Sequence, residues 1–166
     1  MEDKNFNTNA EVAEEQFALM IIDAAEKEIP NQKKKFNMDA LAKKIAEKFF
    51  AYKDKAIDML KDAKKLDEFL EKVGEHLKKY GDAGRHLAYI PEMMMLVRSY
   101  AIGEYKDITL QEIVAIIAAL MYFVSPVDIL PDILPGLGML DDILVMEIVI
   151  GWCNKSIDKY MEWRKK

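Results

Sequence analysis

The chain is poor in the residues that build disulfide frameworks, zinc sites and tight loops. It holds one cysteine, Cys153, and two histidines, His76 and His86, in 166 residues. A single thiol forms no internal disulfide and fits a reducing compartment. One Cys and two His supply no Cys/His zinc constellation. With 7 Gly and 5 Pro, helix breakers are scarce. The stretch Asp107 to Asn154 contains no Lys or Arg but seven acids: Asp107, Glu112, Asp128, Asp132, Asp141, Asp142 and Glu147. Such a surface repels phosphate, so nucleic acid is excluded as a partner of this region.

What remains is rich in helix formers. Hydrophobic residues make up 51% and charged residues 32%, the balance of a folded chain rather than a disordered one. Ala, Leu, Met, Glu and Lys dominate, which sets an all-α expectation. The length suits one domain with a core of its own. Met1 to Asn9 is polar and does not read as a secretory signal. A cytoplasmic location, extending to the inner face of the membrane, is therefore expected.

Spacing divides the chain into about six helices. Thr8 and Glu11 stand at capping-box spacing and predict a helix from about residue 9 to 28, with Val12, Phe17, Met20, Ile21 and Ala24 on its apolar face. Pro30 closes it, and Lys33 to Lys35 read as a solvated linker. Asn37 is placed to cap a second helix, whose stripe runs Leu41, Ile45, Phe49, Tyr52, Ala56, Leu60. Asp62 is the candidate cap of the third, carrying Leu66, Phe69, Leu70, Val73, Leu77 and Tyr80 and ending at Gly81. His76 falls on its polar side and is expected to be exposed. Pro91 suits the first turn of a fourth helix ending at Gly103, with two of Met93, Met94 and Met95 in the core.

Thr109 and Glu112 form a second capping-box pair. Behind it come twelve consecutive apolar residues, Ile113 to Val124. A helix apolar all round must be buried, in protein or in lipid. At about 15 residues this one is roughly 22 Å long, short of the ~30 Å hydrocarbon core. A soluble bundle wrapping it is therefore preferred to insertion. The last helix starts near Asp141 and runs to about Trp163, ending in a basic segment of five Lys or Arg and two acids from residue 155.

Between these two helices the tetrapeptide Asp-Ile-Leu-Pro occurs twice in tandem, at 128–131 and 132–135. Pro126, Pro131 and Pro135 forbid a continuous helix, and Gly136 and Gly138 permit a reversal. The segment Ser125 to Asp142 is thus the turn of an αα-hairpin. Its carboxylates have two readings. As caps, Asp128 sits three residues after Ser125, Asp132 can bond free N–H groups of the turn, and Asp141 or Asp142 can cap the last helix. As a cluster, Asp128, Asp132, Asp141 and Asp142 would suit Mg²⁺, Mn²⁺ or Ca²⁺ and a metal-activated water. Caps need no convergence in space, so capping is the simpler reading. No general base and no catalytic residue is assigned.

The run Leu120-Met121-Tyr122-Phe123-Val124-Ser125-Pro126-Val127-Asp128-Ile129-Leu130-Pro131-Asp132, followed by Pro135, Gly138 and Leu140-Asp141-Asp142, resembles the YkvA-like family. Tyr122, Ser125, Pro126, Asp128, Pro131, Asp132, Pro135, Gly138, Asp141 and Asp142 fill that family's motif. About 40 residues carry the match, with a looser likeness over 66–163; residues 1–50 form an N-terminal helical extension of the same single domain. The resemblance implies a compact helical hairpin, a bacterial or archaeal setting and frequent membrane association, with no established catalysis. The expected function is a non-catalytic interaction or membrane-associated adaptor module. Its partner is a protein or a membrane surface, with self-association through the first helix as a further option.

Overall fold

The computed structural model describes residues 2–28, 38–79, 87–125 and 140–166. These form seven helices and no strand: α1 Glu2–Glu28, α2 Met38–Ala51, α3 Lys53–Leu60, α4 Ala63–Lys78, α5 Ile90–Ala101, α6 Leu110–Val124 and α7 Leu140–Arg164. The expected linker at Lys33 to Lys35, the Asn37 cap, and Tyr80 and Gly81 lie outside the described residues.

The capping box expected at Thr8 and Glu11 lies inside α1, which begins at Glu2. No Pro or Gly occurs between Glu2 and Thr8, so nothing there stops the helix. The buried face of α1 is Phe17, Ile21 and Ala25, at strict one-turn spacing, while Met20 is exposed. Phe17 stacks on Phe49 of α2, with ring centroids 4.6 Å apart and planes 9° from parallel. It also meets Phe50 and Trp152 edge-on, at 5.7 and 5.4 Å. The N-terminal extension is therefore packed against α2 and α7 and shares the common core.

The single stripe expected from Leu41 to Leu60 spans two helices. Tyr52 breaks the run, its own N–H reaching back three residues to Phe49 O at 3.1 Å. It keeps helical dihedrals (φ −80°, ψ −8°), so the apolar face continues from Ala42, Ile45 and Phe49 to Ala56. Asp62 caps α4 as expected: its backbone is extended and its carboxylate accepts from Lys65 N–H at 3.2 Å. In α5, Met93 is buried, Met94 half-buried and Met95 exposed. Gly103 follows at φ +83°, and Ser99 O accepts from Glu104 N–H and Tyr105 N–H at 3.0 and 3.2 Å. A residue with a Cβ would be strained at that dihedral, which is why the helix ends on glycine.

At the centre lies α6. Thr109 and Glu112 make the full capping box. Ile113, Val114 and every residue from Ile116 to Phe123 are buried. The covering helices are α2, α3, α4, α5 and α7. The apolar run is thus covered by protein except at Ala115 and Val124, which are half-buried. No helix among the described residues is long and apolar enough to cross a membrane.

Candidate functional site

The hairpin of α6 and α7 is the only region singled out by its motif, and its geometry can be built from the open end. Glu112, in the first turn of α6, does two jobs. One carboxylate oxygen accepts from Thr109 N–H at 3.2 Å, and the other accepts from Ser156 Oγ–H at 2.7 Å across the pair. Cys153 Sγ lies 4.0 Å from Glu112 O. The start of α6 therefore lies beside the second half of α7, which makes the pair antiparallel. Carrying that register along both helices brings Tyr122 to Val124 to the start of α7, closing the hairpin at the proline-rich end.

At that end Tyr122 is buried, and the Lys48 ammonium of α2 sits 4.3 Å from its ring centroid. A cation over an aromatic face offsets the cost of desolvating the lysine. Ser125 leaves α6 in extended backbone (φ −64°, ψ 132°), as expected of a residue preceding proline. It donates its N–H to Tyr122 O at 3.2 Å. Asp142 is only 6% exposed and lies in the first turn of α7, where the helix dipole favours a carboxylate. Asp141 lies in the same turn, its side chain outside the described residues. Pro126, Asp128, Pro131, Asp132, Pro135 and Gly138 also lie outside them, so the capping and metal readings of the turn rest on the sequence. Among the described residues no group of three or more His, Cys, Asp or Glu could hold a metal ion.

Two expectations are corrected here. His76 is not a freely exposed polar-face residue: its ring is half-buried, edge-on to Phe123 with centroids 4.8 Å apart. Burial, with the nearby Lys79 charge, pushes its pKa down, against a hydrogen bond to the Phe123 backbone that pushes it up. Folding therefore favours the neutral ring. Stability should fall as pH drops through the ordinary imidazole range near 6.5, where the unfolded chain binds the proton more readily. Urea midpoints at pH 8 and pH 5 test this. The loss on acidification should be smaller in His76→Gln than in the wild type; equal losses would refute the assignment.

The second correction concerns Met20, replaced on the buried face of α1 by Ala25, as described above. The sequence also gave no sign of the partners that pin α7. Tyr160 shares a 2.8 Å hydrogen bond with Ser99 of α5, and both are buried. Arg164 pairs with Glu92 at 2.6 Å, at the other end of α5. These partners are 61 and 72 residues apart, beyond the reach of any periodicity.

Cys153 is buried, and its pKa is pushed up to about 12 by burial first and the Glu112 charge second. The thiolate is the reactive form, so this thiol should be inert. Native protein at pH 8 should not react with a disulfide reagent, whereas one equivalent should react in urea. Rapid labelling of the native chain would mean that α6 and α7 separate.

The open end carries a feature the motif did not announce. An open depression of about 490 Å³ is lined by Lys106, Asp107, Thr109, Glu112, Lys155 and Lys159, among others. Lys159 is ion-paired with Asp107, which pushes the lysine pKa up. The buried carboxylate Asp142 thus stands at the motif end of the hairpin, and Lys106, Lys155 and Lys159 line the opposite end.

A family described as protein of unknown function (DUF1232) matches residues 112–148, the hairpin itself. The Bacillus subtilis (strain 168) protein named "Uncharacterized membrane protein YkvA" is 28% identical over 91 residues, which cover 55% of this chain and 86% of that protein. No solved structure matches. Residues 112–148 are thus similar to that family, and 55% of the chain is similar to the B. subtilis protein.

Proposed function

We propose that this chain is a non-catalytic adaptor module that associates with a membrane at its surface, using the folded hairpin as a rigid scaffold. The observation that carries the proposal is the burial of α6. The one helix apolar enough to suggest lipid is covered by five others. Membrane contact then falls to the outer surface of the bundle. The name of the B. subtilis relative, a membrane protein, supports a membrane setting.

The reading is tested by fractionating cells that express the full chain. The membrane-bound share should be released by high salt or alkaline carbonate, without detergent, and the released protein should be monodisperse. Release only by detergent would overturn the surface reading, and complete absence from the membrane fraction would overturn membrane association.

A second reading, a Mg²⁺, Mn²⁺ or Ca²⁺ site at Asp128, Asp132, Asp141 and Asp142, is favoured by one observation: Asp142 is a buried carboxylate at the mouth of the turn. It predicts a metal-dependent rise in melting temperature that Asp132→Asn with Asp142→Asn abolishes. No rise with any of the three ions would remove it.

A further inference from the structure

We infer that the open end of the hairpin, opposite the Pro/Asp-rich turn, is the face that meets the membrane, and that it selects anionic lipid. This rests on the surface-association reading above and specifies which surface.

Three large apolar side chains are exposed at this end: Ile102 at 56%, Leu110 at 53% and Trp163 at 41%. Ile102 is the C-cap residue of α5 and Leu110 the first residue of α6, and these two helix ends meet α7 one turn apart, through Ser99 with Tyr160 and Glu112 with Ser156. Trp163 of α7 lies against the link between α5 and α6, its ring 5.1 Å from that of Tyr105. Trp163 also stacks on Tyr160 at 5.7 Å, so its ring is partly held by the chain, whereas Ile102 and Leu110, which stand at element termini, are more than half exposed. Aliphatic tips with a tryptophan beside them suit the boundary between headgroups and acyl chains.

Cations surround these tips. Lys106 lies over the Tyr100 ring at 4.7 Å, and its Cε comes within 4.0 Å of the position a Cβ on Gly103 would take, which places it beside Ile102. Lys106, Lys155 and Lys159 line one depression. The carboxylates in that depression are turned to internal partners: Asp107 to Lys159, and Glu112 to Thr109 and Ser156. Exposed Glu104 and Asp158 lie close in sequence, so the expected attraction is modest and sensitive to salt.

Charge is also separated along the hairpin. Five Lys or Arg stand against two acids from residue 155 onward, three of the five in ion pairs (Lys159 with Asp107, Arg164 with Glu92, Lys165 with Glu162), whereas no Lys or Arg occurs from 107 to 154. A chain of net charge −5 is repelled by an anionic surface in most orientations. Within the hairpin this polarity favours an approach by the basic end. Long lysine stems suit that arrangement, because they reach headgroup phosphates while the aliphatic tips enter between them.

The experiment is flotation of the full chain with phosphatidylcholine vesicles, with and without phosphatidylglycerol, at low and high salt. The wild type should float with the anionic vesicles at low salt. Lys106→Gln with Lys155→Gln should weaken partitioning roughly tenfold or more, from the loss of two cations near the surface. Ile102→Ser with Leu110→Ser should reduce it at every salt concentration. A control pair on α4, Lys64→Gln with Lys72→Gln, changes net charge equally and should float like the wild type. All four positions of the test variants are exposed, and circular dichroism melting verifies that the folds are unchanged. If the wild type floats but the test pairs float equally well, or the control pair loses as much, this face is refuted while surface association stands. If the wild type floats with neither vesicle, membrane association itself fails, and this inference with it.

Discussion

Phe17→Ala will lower the stability of the chain by about 3–5 kcal/mol, read as a shift of the urea midpoint at constant m value. The residue is fully buried and sits among three other rings: parallel to Phe49, and edge-on to Phe50 and Trp152. Removing it opens a cavity between α1, α2 and α7 that none of these rigid side chains can fill without leaving its rotamer. Aromatic pairing adds to the loss of buried area. Single domains are stable by about 5–15 kcal/mol, so this substitution alone would bring the chain near its unfolding threshold. A change below about 1 kcal/mol would mean that the N-terminal helix is not part of the core. The same packing bears on self-association. Because the apolar stripe of α1 is already covered by this chain, removing residues 1–36 should bare Ile45 and Phe49 and drive aggregation.

Leu120→Ala is expected to cost about 2–5 kcal/mol. Leu120 is fully buried in the last two turns of α6, among helices from both halves of the chain. The size of the loss separates two environments for the same apolar run. In a packed interior the vacated volume stays empty, and its lining side chains lose their contacts outright. Against lipid, acyl chains would fill the space and the loss would be small. Detergent-free thermal unfolding of the variant beside the wild type reads the difference. An unchanged melting temperature would place α6 against something fluid.

These two positions show which parts of the fold were legible in the sequence. Local chemistry was the most readable. Thr109 with Glu112, Asp62 and Gly103 act where their residue types place them, because caps and positive-φ turns are decided within four residues, although the same capping-box spacing at Thr8 and Glu11 falls inside α1. The burial of α6 was equally plain, since a helix with no polar face has nowhere else to go. Errors arose where two faces compete. Met20 and Ala25 both flank the Phe17–Ile21 stripe, and α2 and α7 cover the side holding alanine. Tyr52 broke a stripe that periodicity alone could not break.

Partners distant in sequence were not legible at all. Glu112 was recognisable as a capping residue, yet its second oxygen holds Ser156 of α7, 44 residues away. Lys48 over Tyr122 and His76 against Phe123 join helices whose order in space no pattern of apolar spacing specifies. For the candidate site, the sequence located both walls of the hairpin and the acidic character of its turn. It did not reveal the basic, apolar-tipped open end, because that surface is assembled from the α5–α6 corner and the far half of α7.

The antiparallel closure of α6 on α7 underlies the burial of α6, the inert thiol and the assignment of two chemically opposite ends. It is tested most directly by a distance between spin labels at residues 110 and 158, introduced as cysteines with Cys153→Ser. The register set by Glu112 and Ser156 places these positions side by side. With helix axes roughly 8–10 Å apart, the labels should lie on the order of 20 Å from one another. A separation near the ~70 Å of one continuous helix would contradict the account.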